Sequence, residues 1–333
     1  MDAPLNENKS AQGRPALGRE IGIIGLGKMG GGIVEHLLEQ GWTVYGHKRT
    51  KATAQDLIGK GMKFADSPAE LVQALSSPRI VWLMVPARAD SGGKAALNPV
   101  DELLFGKDGI AKKLTKGDIL IDGGNSFYKD SVRRAKKLAA LGVRFMDVGF
   151  SGGPYGARHG GCLMIGGDEA AFAELEPLFK DLAQPDGYQF FKGAGAGHFV
   201  KMVHNGIEYG MMQSIGEGFG IMKKSKYNLD LTRVADIYQH GSVIESRLVG
   251  WLQKAFAQHS EELNDVSGSV GHTGEGEWTA KTAKELKVPA KIIEESFRFR
   301  VQSSKKPSYI GKVVSALREQ FGGHSVTPER KKK

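Results

Sequence analysis

Short apolar runs recur along the first half of the chain, each followed by a stretch in which apolar and charged positions mix. Ile21-Gly22-Ile23-Ile24, Thr43-Val44-Tyr45-Gly46-His47, Ile80-Val81-Trp82-Leu83-Met84-Val85, Asp118-Ile119-Leu120-Ile121-Asp122 and Val143-Arg144-Phe145-Met146-Asp147-Val148 read as strands. An amphipathic stretch from about Gly31 to Gln40 and a mixed-charge one from Ser131 to Leu141 read as helices between them. Strands alternating with helices predict an α/β fold with a doubly wound parallel sheet, whose ligands sit beyond the carboxyl ends of the strands. After Leu178-Phe179 the pattern changes. From Gly193-Ala194-Gly195-Ala196-Gly197, read as a site of close backbone approach, the periodicity is helical as far as Arg318. One glycine-rich loop, Ser267 to Thr279, interrupts it and is a candidate substrate contact.

The first strand runs directly into Gly25-Leu26-Gly27-Lys28-Met29-Gly30. Strand, Gly-x-Gly-x-x-Gly, helix and strand form a dinucleotide-binding unit. Gly25 allows the tight turn, Gly27 lets the backbone approach a pyrophosphate, and Gly30 lets helix and strand lie close. The phosphates then meet the helix amino terminus. At the end of the second strand, where an acid ordinarily holds the ribose 2′-hydroxyl, the chain has His47-Lys48-Arg49-Thr50-Lys51. Cations and a hydroxyl there suit the 2′-phosphate of NADP, with NAD as the other possibility. The expected organisation is a Rossmann-type NADP-binding domain over 21–192 and an all-helical substrate and dimerisation domain over 193–325, between a polar tail (1–20) and a basic tail (326–333).

The helical half opens on the most informative stretch, Gly195 to Gly210. Read as a helix, it places Lys201, His204, Asn205 and Glu208 at i, i+3, i+4 and i+7 on one face. Phe199, Met202, Val203 and Ile207 fall around the rest, so the helix is expected to be buried on most sides. Buried lysine, imidazole, amide and carboxylate are costly unless they meet one another or a ligand.

Composition narrows the reading little. The 333 residues are 40% hydrophobic and 25% charged, ordinary for a globular protein. No apolar run approaches the length of a membrane-spanning helix, and residues 1–20 lack the apolar centre of a signal peptide. A single cysteine, Cys162, excludes internal disulfides and fits a reducing, cytoplasmic compartment; beside Leu163-Met164-Ile165 it reads as a buried strand residue. Net charge is +9, of which Glu329 to Lys333 supply +3. A basic surplus suits anionic ligands, and without an aromatic-and-basic recognition motif small phosphorylated molecules are preferred over nucleic acid. No His, Cys and carboxylate spacing indicates a metal site.

Taken together, these motifs resemble the decarboxylating 6-phosphogluconate dehydrogenases in their short form, within the β-hydroxyacid dehydrogenase superfamily. The resemblance is carried by the fingerprint Gly25–Gly30, Asp122-Gly123-Gly124-Asn125-Ser126, Ser151-Gly152-Gly153 with Gly156-Ala157-Arg158, and the whole of Gly195 to Gly210. Gly274-x-Gly-x-Trp278-Thr279, Arg300, and Arg318 with Phe321-Gly322-x-His324 add to it. His204-Asn205-x-x-Glu208-Tyr209 separates the chain from the broader superfamily. The long form has a lysine and a threonine facing the substrate phosphate in the glycine-rich loop; aligned on Trp278-Thr279, this chain has Thr273 and Glu275.

The resemblance implies oxidation of 6-phosphogluconate at C3, loss of C1 as CO₂ and tautomerisation to ribulose 5-phosphate, in the pentose phosphate pathway and without a metal. Lys201 is the implied base at C3 and Glu208 the implied acid at C1. Val85, Pro86 and Asn125 join the fingerprint at the cofactor. Asn125, Ser151, Gly152, Gly153, His204 and Asn205 bind the sugar acid, and Tyr209, Arg300, Arg318 and His324 its phosphate. Arg318 and His324 are expected to come from a neighbouring subunit of a homodimer or tetramer. Two other readings use the same fold: a dehydrogenase of a smaller β-hydroxyacid, and a non-catalytic NADP-binding sensor.

Overall fold

The structure, a computed structural model, describes residues 18–87 and 98–326. Both tails, apart from residues 18–20 and Val326, lie outside the described residues. The first half runs β1 (Glu20–Ile24), α1 (Lys28–Glu39), β2 (Thr43–His47), α2 (Gln55–Gly59), β3 (Lys63–Phe64), α3 (Pro68–Ala74), β4 (Ile80–Leu83), α4 (Pro99–Phe105), β5 (Ile119–Asp122), α5 (Tyr128–Ala139), β6 (Arg144–Ser151), α6 (Gly153–His159), β7 (Gly161–Gly167), α7 (Glu169–Leu182) and β8 (Ala183–Lys192). The strands form one sheet in the order β3-β2-β1-β4-β5-β6-β7-β8. It is parallel from β3 to β6, as the alternation predicted.

Covering by helices on both faces explains why these strands read as unbroken apolar runs. Ile21, Ile23, Ile80, Trp82, Ile119 and Ile121 enter one core cluster, while Ile24, Val81, Leu83 and Leu120 enter another. The period of two along each strand sends neighbours to opposite faces. Each face is closed by its own set of helical side chains, such as Ile33 and Leu37 of α1 on one side and Leu71 of α3 on the other.

Three features differ from the expectation. The sheet does not stay parallel: β7 pairs antiparallel with β6, matching Ser151 to Cys162, and β8 then runs parallel to β7. Cys162 is in a strand but exposed, because Leu163 and Ile165 take the core-facing positions and Cys162 falls on the opposite side. Finally, β8 is a half-exposed edge strand carrying Pro185, Asp186 (φ +57°) and Gly187, whose turn-like residues hide it from a pattern reading.

The second half consists of α8 (Ala196–Lys224), α9 (Leu231–Tyr238), α10 (Arg247–His259), α11 (Glu275–Glu285), α12 (Lys291–Ser303) and α13 (Tyr309–Gly322). Its core joins Met212 and Phe219 of α8 to Leu252 and Phe256 of α10 and Val313, Val314 and Leu317 of α13. The junction with the sheet is polar and exact in its pairing. The buried Asp147 carboxylate of β6 accepts from the backbone N–H of Gly195 at 2.7 Å and of His198 at 2.8 Å, capping α8. A side chain at Gly197 would lie 2.5 Å from the Asp147 and Met164 carbonyl oxygens, so the glycines there serve close approach. Among the described residues no helix is long and apolar enough to cross a membrane.

Candidate active site

A cleft of about 920 Å³ lies between the carboxyl ends of the strands and the helical half. At one end is the fingerprint. Gly25 has φ +104°, and a Cβ on Gly30 would fall 1.9 Å from the Gly25 carbonyl oxygen, so both positions demand glycine. Gly27 caps α1 without a side-chain partner and has open space in front of it. The first-turn N–H groups of α1 are therefore free to take phosphate, which fits a dinucleotide. Lys28, Met29, Val85, Pro86 and Asn125 also line the cleft.

Five predicted cofactor residues lie outside its lining, the first being Gly25, whose part is the turn itself. Leu26 is a core residue, 5% exposed. Lys48, Arg49 and Thr50 lie next to the fingerprint, where Gly25 donates to the His47 carbonyl, but outside the cleft lining. Lys48 Nζ reaches the Thr53 carbonyl at 3.4 Å, and the exposed Arg49 and Thr50 side chains face solvent. His47 belongs to the fold: its imidazole meets the Ala65 carbonyl at 2.9 Å.

The turn bearing Asn125 is held by a buried network that sequence reading missed. Asp122 accepts from Gly124 N–H, the Ser126 hydroxyl and Arg134 Nη1, the last at 3.0 Å. Arg134 is fully buried on α5, a helix that looks merely mixed-charge in the sequence. Only the tertiary fold brings α5 over the end of β5.

On the facing helix, Lys201, His204, Asn205 and Glu208 share the cleft as the spacing predicted. Lys201 is 7% exposed; its approach to β6 is possible because Gly149 has no side chain, since a Cβ there would be 2.2 Å from that of Lys201. Burial drives the Lys201 pKa down, opposed by the carboxylates of Glu208 and Glu275. Lys201 Nζ is 3.4 Å from His204 Nδ1, which is 3.0 Å from Asn205 Oδ1. That oxygen accepts, so Nδ1 carries the proton and Nε2 accepts from the Ser151 hydroxyl at 3.1 Å. Burial and Lys201 hold the His204 pKa at about 4, leaving the ring neutral. Burial raises the Glu208 pKa despite Lys201 and Arg300, favouring the protonated acid. Ile207, expected to be buried, is 52% exposed because it forms cleft wall instead of core.

The other end of the cleft is cationic. Arg300 is 3% exposed, with its guanidinium 3.3 Å from the Tyr209 ring centroid, and burial followed by the Arg318 charge lowers its pKa to about 10. Burial lowers the Arg318 pKa as well. No carboxylate among the described residues forms an ion pair with either guanidinium. His324 stands beside them, its pKa depressed to about 4 by burial, Arg318, Lys28 and Arg300. A buried and a half-buried cation with an imidazole beside them make an end suited to an anion.

Within this one chain, Arg318 of α13 and His324 just beyond its end line the cleft. The reason is the seat of α13: it lies along α8, its Phe321 carbonyl fits against Gly153, where a Cβ would intrude to 1.9 Å, and Lys28 holds the Gly323 carbonyl at 2.9 Å. The glycine-rich loop also contributes, through His272, Thr273, Glu275 and Trp278. Glu275 is 4% exposed and accepts from the Thr273 hydroxyl at 2.6 Å. The glycines of the loop were its signal in the sequence; the direction of Glu275 was not readable there.

Comparison with known proteins agrees with this layout. The profile of the NAD binding domain of 6-phosphogluconate dehydrogenase matches residues 20–197, and that of the C-terminal domain of 6-phosphogluconate dehydrogenase matches 197–332. A Bacillus subtilis protein whose name assigns it provisionally to 6-phosphogluconate dehydrogenase is 42% identical, over 92% of this chain and 98% of its own length. The NAD(+)-dependent, decarboxylating 6-phosphogluconate dehydrogenase of Haloferax volcanii is 38% identical over the same shares, 92% and 98%. Among solved structures, the Plasmodium falciparum 6-phosphogluconate dehydrogenase superposes with a TM-score of 0.75 at 27% identity, covering 94% of this chain and 67% of that one. On two matched domains and relatives aligned almost end to end, the chain belongs to the 6-phosphogluconate dehydrogenase family, the NAD(P)-dependent oxidoreductases.

Proposed function

We propose that this chain catalyses the oxidative decarboxylation of 6-phosphogluconate to ribulose 5-phosphate and CO₂. The observation that carries the reading is one cleft with the buried Lys201 and the Glu208 carboxyl at its centre and a buried and a half-buried arginine, free of ion pairs among the described residues, at its far end. Gly27, Lys28, Met29, Val85, Pro86 and Asn125 would hold the nucleotide, whose nicotinamide supplies the hydride acceptor. The neutral Lys201 takes the C3 hydroxyl proton, since loss of hydride from C3 requires that proton to leave. The resulting ammonium polarises the new C3 carbonyl and stabilises the enolate left when C1 departs as CO₂. Protonated Glu208, two turns along α8, then delivers a proton to the enediol carbon that was C2 and becomes C1 of ribulose 5-phosphate, while Lys201 takes back the proton on the C3 oxygen. Neutral His204, fixed between Asn205 and Ser151, offers the sugar a hydrogen-bonding edge without adding charge beside Lys201. Ser151, Gly152 and Gly153 receive the carboxylate end, and Tyr209, Arg300, Arg318 and His324 the phosphate.

Lys48, Arg49 and Thr50 favour NADP over NAD in this reading, as cations beside the ribose site attract a 2′-phosphate. Self-association through the helical half belongs to it too, where Ile221, Ile237, Val243 and Ile244 are exposed. The test supplies 6-phosphogluconate with NADP or NAD and follows reduced cofactor and CO₂ together. One CO₂ per reduced cofactor is expected, with higher kcat/KM for NADP. Reduction without CO₂ release moves the chain to a smaller β-hydroxyacid. Nucleotide binding with no reduction of any such acid leaves a sensor.

A further inference from the structure

Lys28 occupies an unusual position between the two ends of the cleft. It is the first residue of α1, so its backbone is part of the phosphate-facing turn, yet its side chain points across to the helical half. There Nζ donates to the Gly323 carbonyl at 2.9 Å, a contact between residues 295 apart in sequence. Gly323 ends α13 in a left-handed conformation, φ +60°, with its N–H on the Glu319 carbonyl, and His324 follows directly. Two residues on, the Val326 carbonyl accepts from Ser267 N–H. The end of α13 is thus tied to the helical half by its backbone and to the nucleotide half by one ammonium. No carboxylate among the described residues forms an ion pair with that ammonium.

We infer that Lys28 couples the two ligand sites: its ammonium bridges the cofactor pyrophosphate and the Gly323 carbonyl, so that bound nucleotide fixes the end of α13 that presents Arg318 and His324 to the substrate phosphate. This rests on the functional reading above. An ammonium has three donors, and Gly323 uses one, leaving donors for a phosphate oxygen. The pyrophosphate orders the ammonium, the ammonium orders Gly323, and the substrate phosphate meets an anion-binding end already in place. Linkage makes the effect mutual: each ligand tightens the other by the same factor. Lys28 is here a positioning residue and touches no reacting atom.

The experiment measures 6-phosphogluconate binding by calorimetry, without nucleotide and with saturating NADPH, which occupies the cofactor site without turnover. In the parental protein NADPH should tighten 6-phosphogluconate binding by about 5-fold or more. In Lys28→Met that factor should fall to about 1 at nucleotide concentrations raised to saturation, and Lys28→Arg should restore most of it. A merely structural role for Lys28 would weaken 6-phosphogluconate equally with and without NADPH, leaving the factor unchanged. That result, or independent binding in the parental protein, overturns the inference while leaving the functional reading intact. A parental protein that binds neither ligand defeats both, and is recognised by the absence of heat in the single-ligand titrations.

Discussion

Replacing Arg318 by Met removes the half-buried one of two neighbouring guanidinium groups while keeping most of the side-chain volume. In the proposed complex Arg318 donates to a phosphate oxygen, and a hydrogen bond to a charged group contributes roughly 1.5–3 kcal/mol. The corresponding loss in kcat/KM for 6-phosphogluconate is about 10- to 150-fold. Stability should move the other way, or not at all. Arg318 makes no ion pair among the described residues, and its charge helps to lower the pKa of the neighbouring Arg300. Methionine therefore removes a partly desolvated cation and a repulsion, against the loss of its attraction to Glu275 and Glu208, and breaks no ion pair among the described residues. The assay compares 6-phosphogluconate with gluconate, which has no phosphate, in parental protein and variant, alongside thermal unfolding. The expected signature is a fall in preference for the phosphorylated acid by that same factor, at an unchanged or higher unfolding midpoint. Equal losses on both substrates, or a clear drop in midpoint, would show that Arg318 supports the fold of α13 and does not read the phosphate.

Lys201→Met should cost about 10²- to 10⁴-fold in turnover while NADP affinity is retained, because the lysine acts on the substrate; substantial turnover in the variant removes Lys201 from the reaction. Glu208→Gln should slow ribulose 5-phosphate formation by a similar factor of about 10² to 10⁴ with the fold intact, and product release at the parental rate would assign the acid step elsewhere. His259 gives a pH test of stability. Burial lowers its pKa, but Asp265 at 2.7 Å and Glu319 at 2.6 Å outweigh this and hold it above 6.5. A folded-state value raised in this way contributes stability in full below the unfolded value of about 6.5, and loses it as pH rises through the folded value. His259→Gln should therefore lower the unfolding midpoint at about pH 6 and much less at about pH 9, and a pH-independent difference contradicts the ion-pair account.

Much of this molecule was legible in one dimension because its signals are local. Apolar runs of strand length, the glycine triplet after β1 and the i, i+3, i+4, i+7 spacing on α8 are consequences of backbone period and of steric freedom at single residues. They led to the parallel core of the sheet, the dinucleotide loop and the shared face of Lys201, His204, Asn205 and Glu208. Signals failed where a residue's surroundings come from distant chain. The strand β8 looks like a turn until β7 pairs with it, and Cys162 looks buried until the register of β7 turns it outward. Arg134 lies on a helix of ordinary charge, and only the placement of α5 makes it the buried brace of the Asn125 turn. The contacts of Arg318 and Lys28 depend on where α13 comes to rest, which is set by side chains of α8, α6 and α10 together. Spacing along an element follows from its own backbone geometry, whereas ion pairing and desolvation depend on which elements meet, and that is decided by the burial of the whole chain.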